Sequence, residues 1–250
     1  MIGDYALLIL FPVGLVAGVI NVVAGGGSFL TLPILIFLGL PPTVANGTNR
    51  VGIVIQNLGA VWGFQRHKVL EWRLALWTAI PATMGAALGT WGALEVGDDT
   101  FRRILAFLMI VISLWTLLKP SAKETSLHKN GSKSSVIGLT LGFFMVGIYG
   151  GFVQAGVGFL ILTATSFVGL DLVKGNAVKV GCVLVFTILS LSIFASKGMV
   201  NWTLGLILGA GTFVGGQIGV RLTTLKGHRW VRKVVTVTII LFAIILWFGV

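Results

Sequence analysis

The stretch 24-AGGGSFLTLP-33 cuts an apolar run with three successive glycines, and 154-QAGVGFLILT-163, 130 residues further on, cuts another in the same way. At that one offset Gly26, Phe29, Leu30, Leu32, Phe37, Gly39 and Leu40 meet Gly156, Phe159, Leu160, Leu162, Phe167, Gly169 and Leu170. Farther on, Trp72, Leu74, Leu76, Gly85 and Gly89 meet Trp202, Leu204, Leu206, Gly215 and Gly219. Leucine matches are cheap in an apolar chain, but a tryptophan and repeated glycines at one spacing are not. The chain therefore reads as an internal duplication.

Its composition is that of a membrane protein: 56% hydrophobic residues, 10% charged, and a mean hydropathy of +1.01. Soluble domains carry about 25% charged residues. A hydrocarbon core of about 30 Å calls for roughly 20 residues of helix per crossing, and the apolar runs do not alternate as barrel strands would. The expected fold is an all-α polytopic bundle. Helices are expected at about 5–23, 28–40, 44–65, 72–94 and 101–118, then 135–153, 157–170, 174–195, 201–221 and 230–249. The N-terminal run has no Lys or Arg before it and reads as a first helix rather than a signal peptide.

Ten helices, some of them re-entrant at the glycine breaks, divide into a first repeat over 1–118, a linker over 119–134 and a second repeat over 135–250. An odd number of crossings per repeat makes the second enter the membrane in the opposite sense, an inverted repeat. The basic residues sort accordingly. Arg66, Lys68, Arg73, the linker lysines and Arg221, Lys226, Arg229, Arg232 and Lys233 fall on one side, and chiefly Arg102, Arg103 and Lys197 on the other. That bias puts the linker in the cytoplasm and both termini outside. It also accounts for the net charge of +11 without nucleic acid as a partner.

The chemistry is expected at the breaks. The segments after them, about 13 residues or some 20 Å, are too short to cross, and each would aim backbone N–H groups and a positive dipole end into a cavity. The competing reading is that glycines merely let helices pack closely. Gly25, Gly26, Gly27 and Ser28 in the first copy, and Gln154, Gly156 and Gly158 in the second, are the candidates. With a one-residue deletion, 47-GTNRVG-52 aligns with 176-NAVKVG-181, which sets Arg50 against Lys179 near the membrane midplane. A buried cation costs several kcal/mol unless it faces a cavity or a countercharge, so both are candidate anion ligands, although snorkelling to an interface would also accommodate them. Thr48, Asn49 and Asn176 stand beside them as neutral polar contacts.

All seven acidic residues fall at expected helix ends or in loops, so no carboxylate is offered to a cation or proton at the midplane. His67, His128 and His228 are scattered in polar loops and make no metal set. The lone cysteine, Cys182, excludes an internal disulfide. Neither a nucleophile with its base nor a cofactor motif is present. Two central cations with two helix N-termini and no central acid suit a small anion.

The combination of GVINVVAGGGSFLTLPILIFLGLPPTVANGTNRV with a weaker copy, GFVQAGVGFLILTATSFVGLDLVKGNAVKVG, resembles the TauE/SafE sulfite exporter family of prokaryotic permeases over nearly the whole chain. The resemblance implies a secondary transporter of the cytoplasmic membrane, not an enzyme, that moves sulfite, sulfoacetate or related sulfonates outward. It covers Gly25, Gly26, Gly27, Gly47, Thr48, Asn49 and Arg50, with Gly156, Gly158 and Lys179. Many relatives carry lysine where this chain has Arg50, whose planar fork holds two oxygens at once. The second copy lacks the hydroxyl of Thr48. The alternatives are an anion channel lined by the same residues, or a membrane enzyme or assembly factor. A homodimer packed through the glycine-rich helices around Gly85 and Gly215 is compatible with the pattern.

Overall fold

The computed structural model describes residues 5–118, 133–167 and 169–248. Asp4, Glu124 and the linker expected at 119–134, except its last two residues, lie outside them. Among the described residues the regular elements are helices: α1 (Tyr5–Val23), α2 (Ser28–Phe37), α3 (Pro42–Arg66), α4 (Trp72–Glu95), α5 (Asp98–Leu118), α6 (Lys133–Phe152), α7 (Val157–Phe167), α8 (Leu172–Ser196) and α9 (Trp202–Phe248). The last covers two of the expected helices as one run. It is interrupted at Gly227, whose φ of 70° and ψ of −171° are not helical.

Within this set Leu172–Ser196 and Trp202–Gly227 are long and apolar enough to cross a membrane. The elements after the breaks, α2 with 10 residues and α7 with 11, are even shorter than the sequence suggests. Each is stopped by a glycine. Gly39 at φ 94° lets the Leu40 N–H donate to the Leu35 carbonyl at 3.2 Å, and Gly169 at φ 80° lets Leu170 reach Thr165 at 3.2 Å. The same closure ends α3 at Lys68 (φ 56°) and α8 at Gly198 (φ 69°). These pairs stand at the offset found in the sequence. At Lys68 a side chain sits in a backbone region that costs an L-residue roughly 1–2 kcal/mol.

Packing exchanges partners between the N-terminal and C-terminal portions. α1 lies along α9 and α4 along α6, while α3 touches both α8 and α9 and α4 also touches α8. Lipid gives helices no hydrophobic drive to associate, so close van der Waals approach has to supply it. A Cβ on Gly215 would run into the backbone of α1 at Leu15, and one on Gly85 into the backbone of α6 at Phe144. Both glycines are thus covered by helices of their own chain and offer no surface to a second copy.

At the centre the two breaks meet. The rings of Phe29 and Phe159 stack with centroids 6.2 Å apart, and a Cβ on Gly25 would lie 2.5 Å from the Gly158 Cα. Val23, Leu32, Val153, Leu162 and Phe194 fill the space around them. Trp62, Trp77 and Trp91 point outward, and Trp72 and Trp202 stand exposed at the first residues of α4 and α9, positions that suit a membrane interface.

Candidate functional site

Both expected cations are buried, Arg50 at 0% exposure and Lys179 at 3%. Snorkelling is not their solution. Arg50, on α3, donates from Nη2 to the Gly151 carbonyl at 2.6 Å and from Nη1 to the Gly150 carbonyl at 3.2 Å and Gln154 Oε1 at 3.1 Å. Its guanidinium also lies 4.8 Å from the Phe194 ring centroid. Lys179, on α8, donates from Nζ to the carbonyls of Asn21 at 2.8 Å and Val22 at 2.9 Å and to Asn176 Oδ1 at 2.5 Å. Each cation therefore caps the C-terminal end of a helix from the other half of the chain. Arg50 serves α6, and Lys179 serves α1.

The physical reason is that the last carbonyls of a helix have no intrahelical donor and carry the negative end of its dipole. Where α1 and α6 stop inside the protein, those carbonyls need partners. Two asparagines complete the caps: Asn176 Nδ2 donates to the Val23 carbonyl at 2.9 Å and Asn46 Nδ2 to the Phe152 carbonyl at 2.8 Å. Thr90 Oγ1 adds a bond to the Gly151 carbonyl at 3.2 Å. Among the described residues no side-chain carboxylate bonds either cation, and the carboxylates stand at helix ends. Asp98 accepts from Thr43 at the start of α3, and Asp171 caps α8.

A small cavity of about 10 Å³, room for roughly one water, opens beside these caps. Its polar walls are Asn21, Ser28, Asn57, Gln154 and Lys179, and its apolar walls include Ile53, Val157 and Val183. Gly158 also lines it. Of the residues expected from the sequence, Ser28, Gln154, Gly158 and Lys179 meet there. Arg50 reaches the cavity through Gln154, and its Nε is buried with no partner. Asn49 reaches it through Ser28, donating from Nδ2 at 3.3 Å while accepting from Thr31 Oγ1 at 2.6 Å.

Other candidates stand apart. Thr48 Oγ1 accepts from the Asn201 N–H at 2.9 Å, just before α9, and Asn176 is occupied by the α1 cap and Lys179. Gly25 and Gly156 have φ of 95° and 72° and make the turns at the breaks. A Cβ on Gly27 would strike the Ala17 carbonyl, and Gly26 accepts from the Phe29 N–H at 3.1 Å. Asn21 and Asn57 were not foreseen. Asn57 stands seven residues after Arg50, two helical turns along the same face, and that spacing was the available signal.

A larger groove of about 330 Å³, between α4 and α6, is lined by Trp77, Pro81, Leu139 and Phe143 with Arg73 at one end. Trp77 is exposed there, and none of the residues that cap α1 or α6 lines it. Among the described residues no group of His, Cys, Asp and Glu is placed to hold a metal ion.

The comparisons agree on one class of protein. A "Probable membrane transporter protein" of Haemophilus influenzae is 30% identical over 237 residues, 94% of this chain and 92% of that protein. "Probable membrane transporter protein ORF9" of a Sinorhizobium species is 30% identical over 241 residues, covering 96% and 92%. "Probable membrane transporter protein YunE" of Bacillus subtilis is 26% identical over 263 residues, covering 94% and 92%. No solved structure matches. The model of the family described as "Sulfite exporter TauE/SafE" matches residues 10–246. The chain belongs to that family of membrane transporters, which are not enzymes.

Proposed function

We propose that the protein is a secondary transporter that exports small sulfur-containing anions, sulfite, sulfoacetate or related sulfonates, across the cytoplasmic membrane by alternating access. The observation that carries this reading is the pair of buried cations bonded to carbonyls and amides rather than to carboxylates. A helix C-terminus is equivalent to roughly half a negative charge, so each cap offsets about half of its cation. The N-termini of α2 and α7, which follow the breaks, add roughly half a positive charge each. Around the cavity the balance is about two positive charges, which favours a small anion and repels cations.

The cavity is too small for an oxyanion as it stands, which fits a carrier between its open states better than a continuous pore. About ten transmembrane or re-entrant helices in two inverted repeats, with the linker cytoplasmic and both termini outside, would supply the two states. Export then follows from the membrane potential: a dianion gains about 4.6 kcal/mol per 100 mV on leaving a negative interior, on the order of a thousandfold gradient.

The test is flux of labelled sulfite and sulfoacetate into proteoliposomes under an imposed potential. Saturable, potential-dependent flux that Arg50→Ala abolishes is expected. Flux of neither anion would overturn the substrate assignment.

A further inference from the structure

The two cations supply charge at the site but few free donors. The three protons of the Lys179 ammonium match its three acceptors, the Asn21 and Val22 carbonyls and Asn176 Oδ1. The Gln154 amide is likewise engaged at both ends, accepting from Arg50 and donating to Thr187 Oγ1 at 2.5 Å. An anion admitted when the cavity widens needs donors from elsewhere.

Two hydrogen-bond chains run toward the cavity. In one, Asn21 Nδ2 donates to Gln56 Oε1 at 3.3 Å and Gln56 Nε2 donates to Asn57 Oδ1 at 3.3 Å. Asn57 Nδ2 is left buried without a partner, on a residue only 2% exposed that lines the cavity. In the other, Thr31 donates to Asn49 and Asn49 Nδ2 donates to Ser28 Oγ. Because Ser28 accepts there, its own proton is free for the cavity it lines. A buried amide N–H without a protein partner is costly unless a water or a ligand in the cavity beside it accepts its proton.

We propose that Asn57 Nδ2 and Ser28 Oγ are the direct ligands of the transported oxyanion, while Arg50 and Lys179 act on it through space. This rests on the anion reading above and deepens it. A set of neutral donors beside a diffuse positive field takes a group that accepts at several oxygens, such as a sulfite or sulfonate head. Asn57 belongs to α3 and Ser28 to α2, so ligand binding ties the short helix after the first break to the long helix carrying Arg50.

The experiment is titration of sulfite and of methanesulfonate into the purified full-length protein in lipid nanodiscs, for wild type, Asn57→Leu and Ser28→Ala. Each donor is expected to contribute roughly 10- to 100-fold in affinity. Ser28→Ala removes a single oxygen from a small side chain, so it tests the assignment even where Asn57→Leu fails to fold. Wild-type binding with weakened Asn57→Leu or Ser28→Ala binding, helicity and elution being unchanged, supports the assignment. Wild-type binding with both folded variants within twofold of it overturns the ligand roles and leaves the anion reading standing. Absence of wild-type binding to either probe overturns both.

Discussion

Arg50 Nη2 lies 2.6 Å from the carbonyl oxygen of Gly151, a contact between α3 and the end of α6. The cation of the candidate site is thus also a structural cap, and on the proposed function substitutions there are expected to act on stability and transport together.

For Arg50 both effects are expected. Arg50→Ala orphans the Gly150 and Gly151 carbonyls and is expected to cost about 3 kcal/mol of stability as well as flux. Arg50→Lys keeps the charge but donates from a single point and should fall between the two. Thermal unfolding in detergent should rank wild type above Arg50→Lys and that above Arg50→Ala. An alanine variant as stable as wild type would mean that the cap contributes nothing.

Lys179→Gln removes charge while keeping an amide donor for the α1 carbonyls. Stability is expected to change by about 1 kcal/mol, and anion flux to be lost. Flux at the wild-type rate would show that the second positive charge is dispensable.

Gly25 and Gly39 both have φ near 95°, at 95° and 94°, but Gly25 faces the Gly158 backbone whereas a Cβ on Gly39 would meet nothing within 4 Å. Gly39→Ala should cost only the backbone strain, about 1 kcal/mol. Gly25→Ala adds overpacking of a further 1–3 kcal/mol. Equal melting temperatures for the two variants would argue against the contact between the breaks.

At Gly85 and Gly215, valine should lower stability without changing the molecular mass in solution, since both positions pack within one chain. Light scattering of the detergent-solubilised variants reads the mass, and a shift from a larger species to a smaller one would place these helices at a subunit interface.

Orientation is open to labelling. Cys182 is fully buried and should resist a membrane-impermeant maleimide, so Lys68→Cys and Asp99→Cys serve as reporters. Intact cells should label Asp99→Cys and protect Lys68→Cys. The opposite pattern would invert the topology.

Local chemistry made much of the architecture legible. Apolar run length and the glycines at 25–27, 39, 156 and 169 locate most helix bounds to within a few residues, because helix formation and termination depend on near neighbours. Gly227 shows the limit: a single non-helical residue separates two expected helices within one continuous run. The sequence also singled out Arg50 and Lys179, since a cation in an apolar run demands an explanation wherever it lies.

What it could not assign was the partner of each cation. Gly151 lies 101 residues from Arg50 and Asn21 lies 158 from Lys179, and such pairs follow from which helices cross rather than from any periodicity. Asn57 was missed for the same reason, because an amide in an apolar helix has many ways to be satisfied and only its neighbours show that Gln56 takes its oxygen and leaves its nitrogen free. Sequence alone determined an all-helical membrane protein with cations inside apolar runs and glycine breaks at 25–27 and 156. Tertiary structure decided that the cation in each half of the chain closes a helix end in the other half, because an unsatisfied helix end inside the protein is met by whichever donor the packing brings within reach.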